Sequence, residues 1–208
     1  MKNFVYLLGS ENSKEAVVVD PAWDARAIRE QLEADGRTLA GIVLTHHHDD
    51  HINATEALLQ TFDVPVYAQR AEVDFADNLK PFAEALKPVS PGQQLNVAGL
   101  PMTLVHTPGH TPGSQCVLVH GTLISGDTVF VNACGRCDLP GGNPEQMWHS
   151  LSTVLGVLPG DTVLFPGHDY GDLKVSSLHR EREKNPYFRF QTMNDFVAYR
   201  MPHFAARR

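Results

Sequence analysis

The chain has 208 residues, 42% of them hydrophobic and 20% charged, a balance that supports a packed core and excludes a disordered chain or a coiled coil. Lys and Arg number 17 against 24 Asp and Glu, and the formal charge of −7 argues against a nucleic-acid binder that works by bulk phosphate attraction. No apolar run approaches the ~20 residues that cross a bilayer, which argues against a membrane protein.

In chain order, Phe4 to Leu8 and Ala16 to Val19 read as two short strands, and the polar turn from Gly9 to Lys14 makes them a hairpin. The opening apolar stretch is too short for a signal-peptide core and has no small-residue cleavage site. Asp24 to Ala34 has helical spacing, with Ala27, Ile28, Gln31 and Leu32 on one stripe and Gly36 as the stop. Gly41 to Leu44 is a short buried strand, Ala54 to Thr61 a helix, and Val64 to Tyr67 another strand. Residues 70–90 predict helical pieces broken at Pro81 and Pro88.

From Gln94 to Ser125 consecutive strands follow, at Leu104-Val105, Cys116 to Val119 and Thr122 to Ile124. Asn143-Pro144 opens a helix over Glu145 to Leu155, with Pro at the first helical position. Thr162 to Phe165 is one more strand, and Lys174 to Arg200 is mainly helical, interrupted at Asn185-Pro186. Two groups of strands with helices between them predict a layered α/β fold, two sheets packed together with helices outside. The expectation is one domain over residues 1–208, with 174–208 a short helical tail.

Histidine is over-represented at 11, and four of these fall within residues 46–51. Thr45-His46-His47-His48-Asp49-Asp50-His51 directly follows a strand and contains H-x-H-x-D-H, with His46, His48, Asp50 and His51 at the specified places. Imidazole and carboxylate are good ligands for zinc or non-haem iron. Three later segments share one grammar, an apolar strand ending in a Gly- or Pro-marked loop with a ligand-type residue. They are Val105 to Gly113 with His110, Leu123 to Thr128 with Asp127, and Leu164 to Tyr170 with His168. Strand ends lie along one rim of a sheet, so these side chains can converge.

This order of motifs resembles the metallo-β-lactamase-fold hydrolases over Asn3 to Pro186, and is most similar to their glyoxalase II-like branch. The stretches that carry the resemblance are T-H-H-H-x-D-H, T-P-G-H-T-x-G, G-D-T-x-F and G-H-x-Y. The resemblance implies an αβ/βα four-layer sandwich of two mixed sheets flanked by helices, with the site at one edge. It places His46, His48 and His110 on a first metal, Asp50, His51 and His168 on a second, and Asp127 between the two. Two divalent ions, most simply zinc, with iron or manganese as alternatives, would keep net positive charge there. That charge would lower the pKa of a bound water from 15.7 towards ~7.

The activity so implied is thioester hydrolysis, by attack of metal-bound hydroxide on the carbonyl, with Asp50 and Asp127 the catalytic carboxylates. The β-lactam-hydrolysing members usually lack Asp at position 127, which points to another substrate. The thiol would be glutathione, coenzyme A or a carrier protein. The 40 residues after His168 are too few for the helical domain with which glyoxalase II contacts glutathione. The tail Ser176 to Pro186 is similar instead to the shorter ending of persulfide dioxygenases and polyketide-pathway zinc hydrolases. By the same resemblance, the abrupt start of the chain leaves a first edge strand missing or replaced.

An alternative is therefore a mononuclear iron persulfide dioxygenase, with His48 or His46, His110 and Asp127 on one iron. Asp49 leans towards the hydrolase, because the dioxygenases generally carry Ala there. A lactonase and a non-enzymatic metal-binding module carry less weight. Nuclease relatives need insertions for which this length has no room. Neither a nucleic acid nor a membrane is expected as a partner, and the chain is expected as a monomer or homodimer.

Three cysteines, Cys116, Cys134 and Cys137, make no even-numbered disulfide framework and suit a reducing cytoplasm. Cys134-Gly135-Arg136-Cys137 is a C-x-x-C without a second pair, which favours a structural over a redox role. Arg136 is expected to pair with Asp138 and, with Tyr170, to border the substrate. His47 and Asp49 occupy the unspecified places of the motif, where they face outwards or bond the groups around the ligands. His106, His120, His149, His179 and His203 lack motif context and suit ordinary surface or core roles.

Overall fold

Strands β1 (Tyr6–Leu8) and β2 (Glu15–Val19) pair antiparallel, as the expected hairpin, in the computed structural model, which describes residues 2–202. Every residue from Ala16 to Val19 is fully buried. Alternation along the strand sends Ala16 and Val18 to a core shared with helices, and Val17 and Val19 to a core shared with a second sheet. A strand apolar at consecutive positions demands cover on both faces, and this demand builds the layers.

Strands β3 (Thr38–Val43), β4 (Val66–Gln69) and β5 (Leu86–Val89) complete a five-stranded sheet of order β1-β2-β3-β4-β5, parallel from β2 onwards. Its outer face is covered by helix α1 (Ala25–Ala34) and, beyond the short α2 (Asp49–Ile52), by α3 (Thr55–Leu59) and α4 (Arg70–Phe75). Asp24 caps α1 by accepting from the backbone N–H groups of Arg26 and Ala27, and the stripe seen in the sequence buries Ile28 and Leu32.

Strands β6 (Gln93–Val97), β7 (Leu100–His106), β8 (Gln115–Val119) and β9 (Thr122–Ile124) begin the second sheet, and β10 (Val129–Phe130) and β11 (Ala133–Cys134) form a separate ribbon. Strands β12 (Val163–Phe165) and β13 (Ser176–Ser177) finish it in the order β13-β12-β9-β8-β7-β6, parallel only where β12 meets β9. Its outer face is covered by α5 (Pro144–His149), α6 (Leu178–Lys184) and α7 (Met193–Arg200), through Met147, Leu178 and Phe196. Between the sheets lie Val17, Val43, Leu104 and Val117. The result is an αβ/βα sandwich of two mixed sheets.

Two segments depart from the helical expectation. Leu86–Val89 is a strand, and Pro88 is tolerated because β5 is the edge of its sheet. Ser176–Ser177 pairs antiparallel with β12 before the tail turns helical. The helix from Pro144 also changes at His149, and Ser150–Val154 winds as a π-helix.

Register sets the ends of the strands side by side. Val19 pairs with Val43 in the first sheet, and Ile124 with Phe165 in the second, so the loops that leave these residues share a rim. The N-terminal segment joins that rim, since Phe4 donates to the Gly167 carbonyl and Asp169 to that of Lys2. Among the described residues, no helix is long and apolar enough to cross a membrane. Leu104→Ala should lower the unfolding free energy by about 2–5 kcal/mol, because Leu104 lies fully buried between the sheets. Val157→Ala, at a residue 78% exposed, should change it by less than about 0.5 kcal/mol in the same denaturant titration.

Candidate metal centre

After β3 the backbone bends at Thr45, and His48, itself extended, is the residue before the short helix α2. His46 and His48 stand together, their rings in contact, while His47 points the other way, to Glu72. Asp50 and His51 then enter from the first turn of α2. From the second sheet, the loop between β7 and β8 brings His110, the turn after β9 brings Asp127, and the turn after β12 brings His168.

These seven side chains surround one hollow. His48 Nδ1 lies 3.1 Å from His46 Nε2 and 3.0 Å from His110 Nε2. His51 Nε2 lies 3.2 Å from His168 Nε2, and Asp50 Oδ2 is 3.7 and 3.5 Å from the same two nitrogens. Asp127 sits between these groups: its Oδ2 is 3.5 Å from His110 Nε2, and its Oδ1 is 3.3 Å from both His51 Nε2 and His168 Nε2. Space for this carboxylate depends on Gly167, where an added Cβ would come 2.6 Å from Asp127 Oδ1.

Hydrogen bonds fix which nitrogen carries the proton. The His110 Nδ1–H donates to the Arg136 carbonyl at 2.7 Å, and the His51 Nδ1–H to Asp20 Oδ2 at 2.9 Å. Thr45 Oγ1 donates to Asp20 Oδ2 at 2.6 Å and so accepts from His46 Nδ1–H at 3.1 Å. The Nε2 atoms of His46 and His110 therefore turn lone pairs into the hollow, and His51 presents its Nε2 there as well. Asp127 Oδ1, buried there, has no hydrogen-bond donor. Nitrogen lone pairs and an orphaned carboxylate oxygen converge on one volume that could hold a cation, and this N/O donor set fits zinc or another divalent transition metal.

Electrostatics divide the hollow in two. Burial holds His46 and His110 neutral and, with His110 beside it, pushes His48 down to about 4. At His51 burial opposes a charge, but the Asp127 and Asp20 carboxylates outweigh it and lift the ring to about 10. Burial likewise opposes the ionisation of Asp127, yet His51 and His168 hold it well below the carboxylate range. The half around Asp127 and His51 draws positive charge, and the other half offers neutral imidazoles.

Three supporting residues lie outside the sequence expectations. Asp20, directly after β2, accepts from the Thr45 backbone N–H at 2.7 Å as well as from the Thr45 hydroxyl and His51. Asp20 repeats the strand-end grammar of the candidate ligands, which is the signal that could have found it. Glu72, buried on α4, accepts from His47 N and Nδ1 at 2.7 and 2.6 Å, from Thr111 Oγ1 at 2.9 Å and from Gly113 N at 2.7 Å. Asn3 donates through Nδ2 to the Asp50 carbonyl and Oδ2, both at 2.9 Å.

The other expected residues fall as follows. His47 bonds Glu72, and the exposed Asp49 accepts from Asn78. Arg136 and Asp138 form a bidentate pair at 3.0 and 2.9 Å. Tyr170 stacks on His168 with centroids 4.5 Å apart. Cys134 and Cys137 are free buried thiols, and burial raises both, Cys137 to about 11, which suits a structural role. His106 donates to the Pro112 carbonyl, and the exposed His179 lies 3.6 Å from Glu183. His203 lies outside the described residues. Over the hollow opens a cleft of about 720 Å3, whose walls include Trp23, Phe130, Leu139, Arg136 and Tyr170.

Comparison with known proteins places this arrangement. A metallo-beta-lactamase superfamily model matches residues 2–168. The probable polyketide biosynthesis zinc-dependent hydrolase BaeB of Bacillus velezensis is 32% identical over 198 residues, which are 95% of this chain and 87% of that protein. A hydroxyacylglutathione hydrolase of Shewanella halifaxensis is 37% identical over 181 residues, 85% of this chain but 64% of that longer enzyme. Among solved structures, ETHE1 from Myxococcus xanthus superposes with a TM-score of 0.82 at 31% identity, over 94% of this chain and 84% of that one. Family model, identity and fold agree: the chain belongs to the metallo-beta-lactamase superfamily.

Proposed function

We propose that this chain is a metal-dependent thioester hydrolase in which His46, His48 and His110 hold one divalent ion and Asp50, His51 and His168 a second. The observation that carries the reading is Asp127, which turns one oxygen towards each histidine group. Zinc is the favoured metal, on the donor set and on the name of the Bacillus velezensis relative. When bound, such ions lower the pKa of a water from 15.7 towards ~7 and polarise a carbonyl.

The chain's own residues do the rest. Asp20, the Arg136 carbonyl and the Thr45 hydroxyl hold the Nδ1 protons of His51, His110 and His46, which keeps their Nε2 atoms facing the hollow. Asn3 holds Asp50 Oδ2 from outside. Among the described residues that line the cleft, each histidine is one of the proposed ligands, so none is free to donate a proton. A thiolate, with a thiol pKa near 8.5, leaves without such a donor, whereas an alkoxide needs one. The relative named a hydroxyacylglutathione hydrolase, whose substrate is by that name a thioester, supports the same substrate class.

Asp127→Ala should remove at least one metal ion per chain by elemental analysis and lower kcat/KM by at least about 100-fold; retention of both ions and of turnover would refute its place between the sites. Asp20→Asn, which touches no proposed ion, should weaken zinc binding by about 10–100-fold in a competition titration. Protein purified without added metal should carry close to two zinc per chain and hydrolyse S-D-lactoylglutathione or acyl-coenzyme A equally well without oxygen. One iron per chain, with oxygen consumed on glutathione persulfide, would establish the dioxygenase instead.

A further inference from the structure

Trp23 is held where neither burial nor backbone preference would put it. It follows β2 by a few residues, has a φ of +62° and is 57% exposed. Left-handed backbone is costly for a bulky side chain, and such strain persists only where the surroundings impose it. Two hydrogen bonds do so here: Trp23 N–H donates to Asn53 Oδ1 at 2.6 Å, and the indole Nε1–H donates to Asn3 Oδ1 at 2.9 Å. Asn53 ends the helix that carries Asp50 and His51, and Asn3 itself donates to Asp50. The indole is thus fixed relative to the proposed second metal group, on the wall of the cleft.

Two further rings stand on that wall. Tyr170, 54% exposed, stacks on His168, and Phe130 meets Tyr170 edge-on at 5.6 Å. Apart from the proposed ligands Asp50 and Asp127, the charged residues among the described ones that line the cleft are Asp49 and Arg136, and Arg136 is already held by both oxygens of Asp138. Two carboxylates of a glutathione thiol would find no unpaired side-chain cation among the described residues of this wall, whereas an apolar acyl chain would find the exposed rings of Trp23 and Tyr170, with Phe130 packed behind Tyr170.

We propose that Trp23, with Phe130 and Tyr170, cradles the acyl chain. The substrate class is then a thioester of an apolar acyl group on an uncharged thiol arm, of the kind that coenzyme A and acyl carriers share. The inference rests on the thioester reading above and narrows it.

The test uses the purified, metal-loaded protein with N-acetylcysteamine thioesters from acetyl to hexanoyl. In the wild type, kcat/KM should rise about two- to fourfold per added methylene. It should also be higher for the hexanoyl thioester than for S-D-lactoylglutathione. Trp23→Gly removes the ring and accepts the positive φ, so its melting temperature should be unchanged or higher, while the hexanoyl-to-acetyl ratio of kcat/KM falls about tenfold. Trp23→Phe should keep most of that ratio, because the ring and not the Nε1–H makes the contact.

Binding gives a readout independent of turnover, since the chain has two tryptophans, Trp23 and Trp148. The unreactive S-hexyl-N-acetylcysteamine should shift indole emission in the wild type and not in Trp23→Phe. Measurable acetyl hydrolysis with a flat chain-length series, or an unchanged ratio in Trp23→Gly, would overturn the cradle and leave thioester hydrolysis standing. Absence of hydrolysis on every thioester would overturn both.

Discussion

One buried carboxylate ties the ends of β2 and β3 to the hollow. Asp20 is 2% exposed, and its oxygens accept from the backbone and hydroxyl of Thr45 and from His51 Nδ1. A buried charge is tolerated only when fully hydrogen-bonded, so the loop leaving β3 must fold back over the end of β2. That fold-back carries His46 to His51 to the rim. The Thr45 carbonyl then accepts from Gln115 N, and the Gln115 side chain donates to the Leu44 carbonyl and accepts from Gln69. The first sheet is thereby stitched to β8 at the level where the proposed ligands emerge.

Glu72 does the same from the other side. Its carboxylate, buried on α4, joins His47 in the motif loop to Thr111 and Gly113 in the loop that carries His110. Neither Asp20 nor Glu72 faces the hollow with a free oxygen, yet both add negative charge close behind it. Together with Asp127 they leave a cluster of imidazoles inside an anionic surround. Divalent cations are favoured in such a field.

Strand-end position made much of this legible from residues alone. The layered fold followed from two groups of strands with helices between them, the sandwich from the family resemblance, and the seven side chains that meet at the rim all follow strands. Asp20 was open to the same reading, since Val17-Val18-Val19-Asp20 is an apolar strand ending in a carboxylate. Glu72 was not: it sits 41 residues from Gly113 and on a helix, and only the packing of one sheet on the other brings them together. Leu86–Val89 was obscured by Pro88, which reads as a breaker unless the strand is known to be an edge. Trp23 was equally hidden, because nothing in Pro21-Ala22-Trp23-Asp24 announces a left-handed residue.

The rim divides into two kinds of residue. The side chains around the hollow are buried or half-buried and held through Asp20, Glu72 and main-chain groups, so changing one disturbs the bonds that keep the others in place. Trp23, Tyr170 and Arg136 hang from exposed loops above it, and each is fixed by few contacts. Replacing them alters the shape and charge offered to a substrate while the hollow below stays intact. This separation explains how one sandwich serves hydrolases of different substrates, and why specificity is to be sought above the centre. The strain at Trp23 belongs to this upper tier: it serves no core contact, and its hydrogen bonds are spent on placing a ring over the cleft.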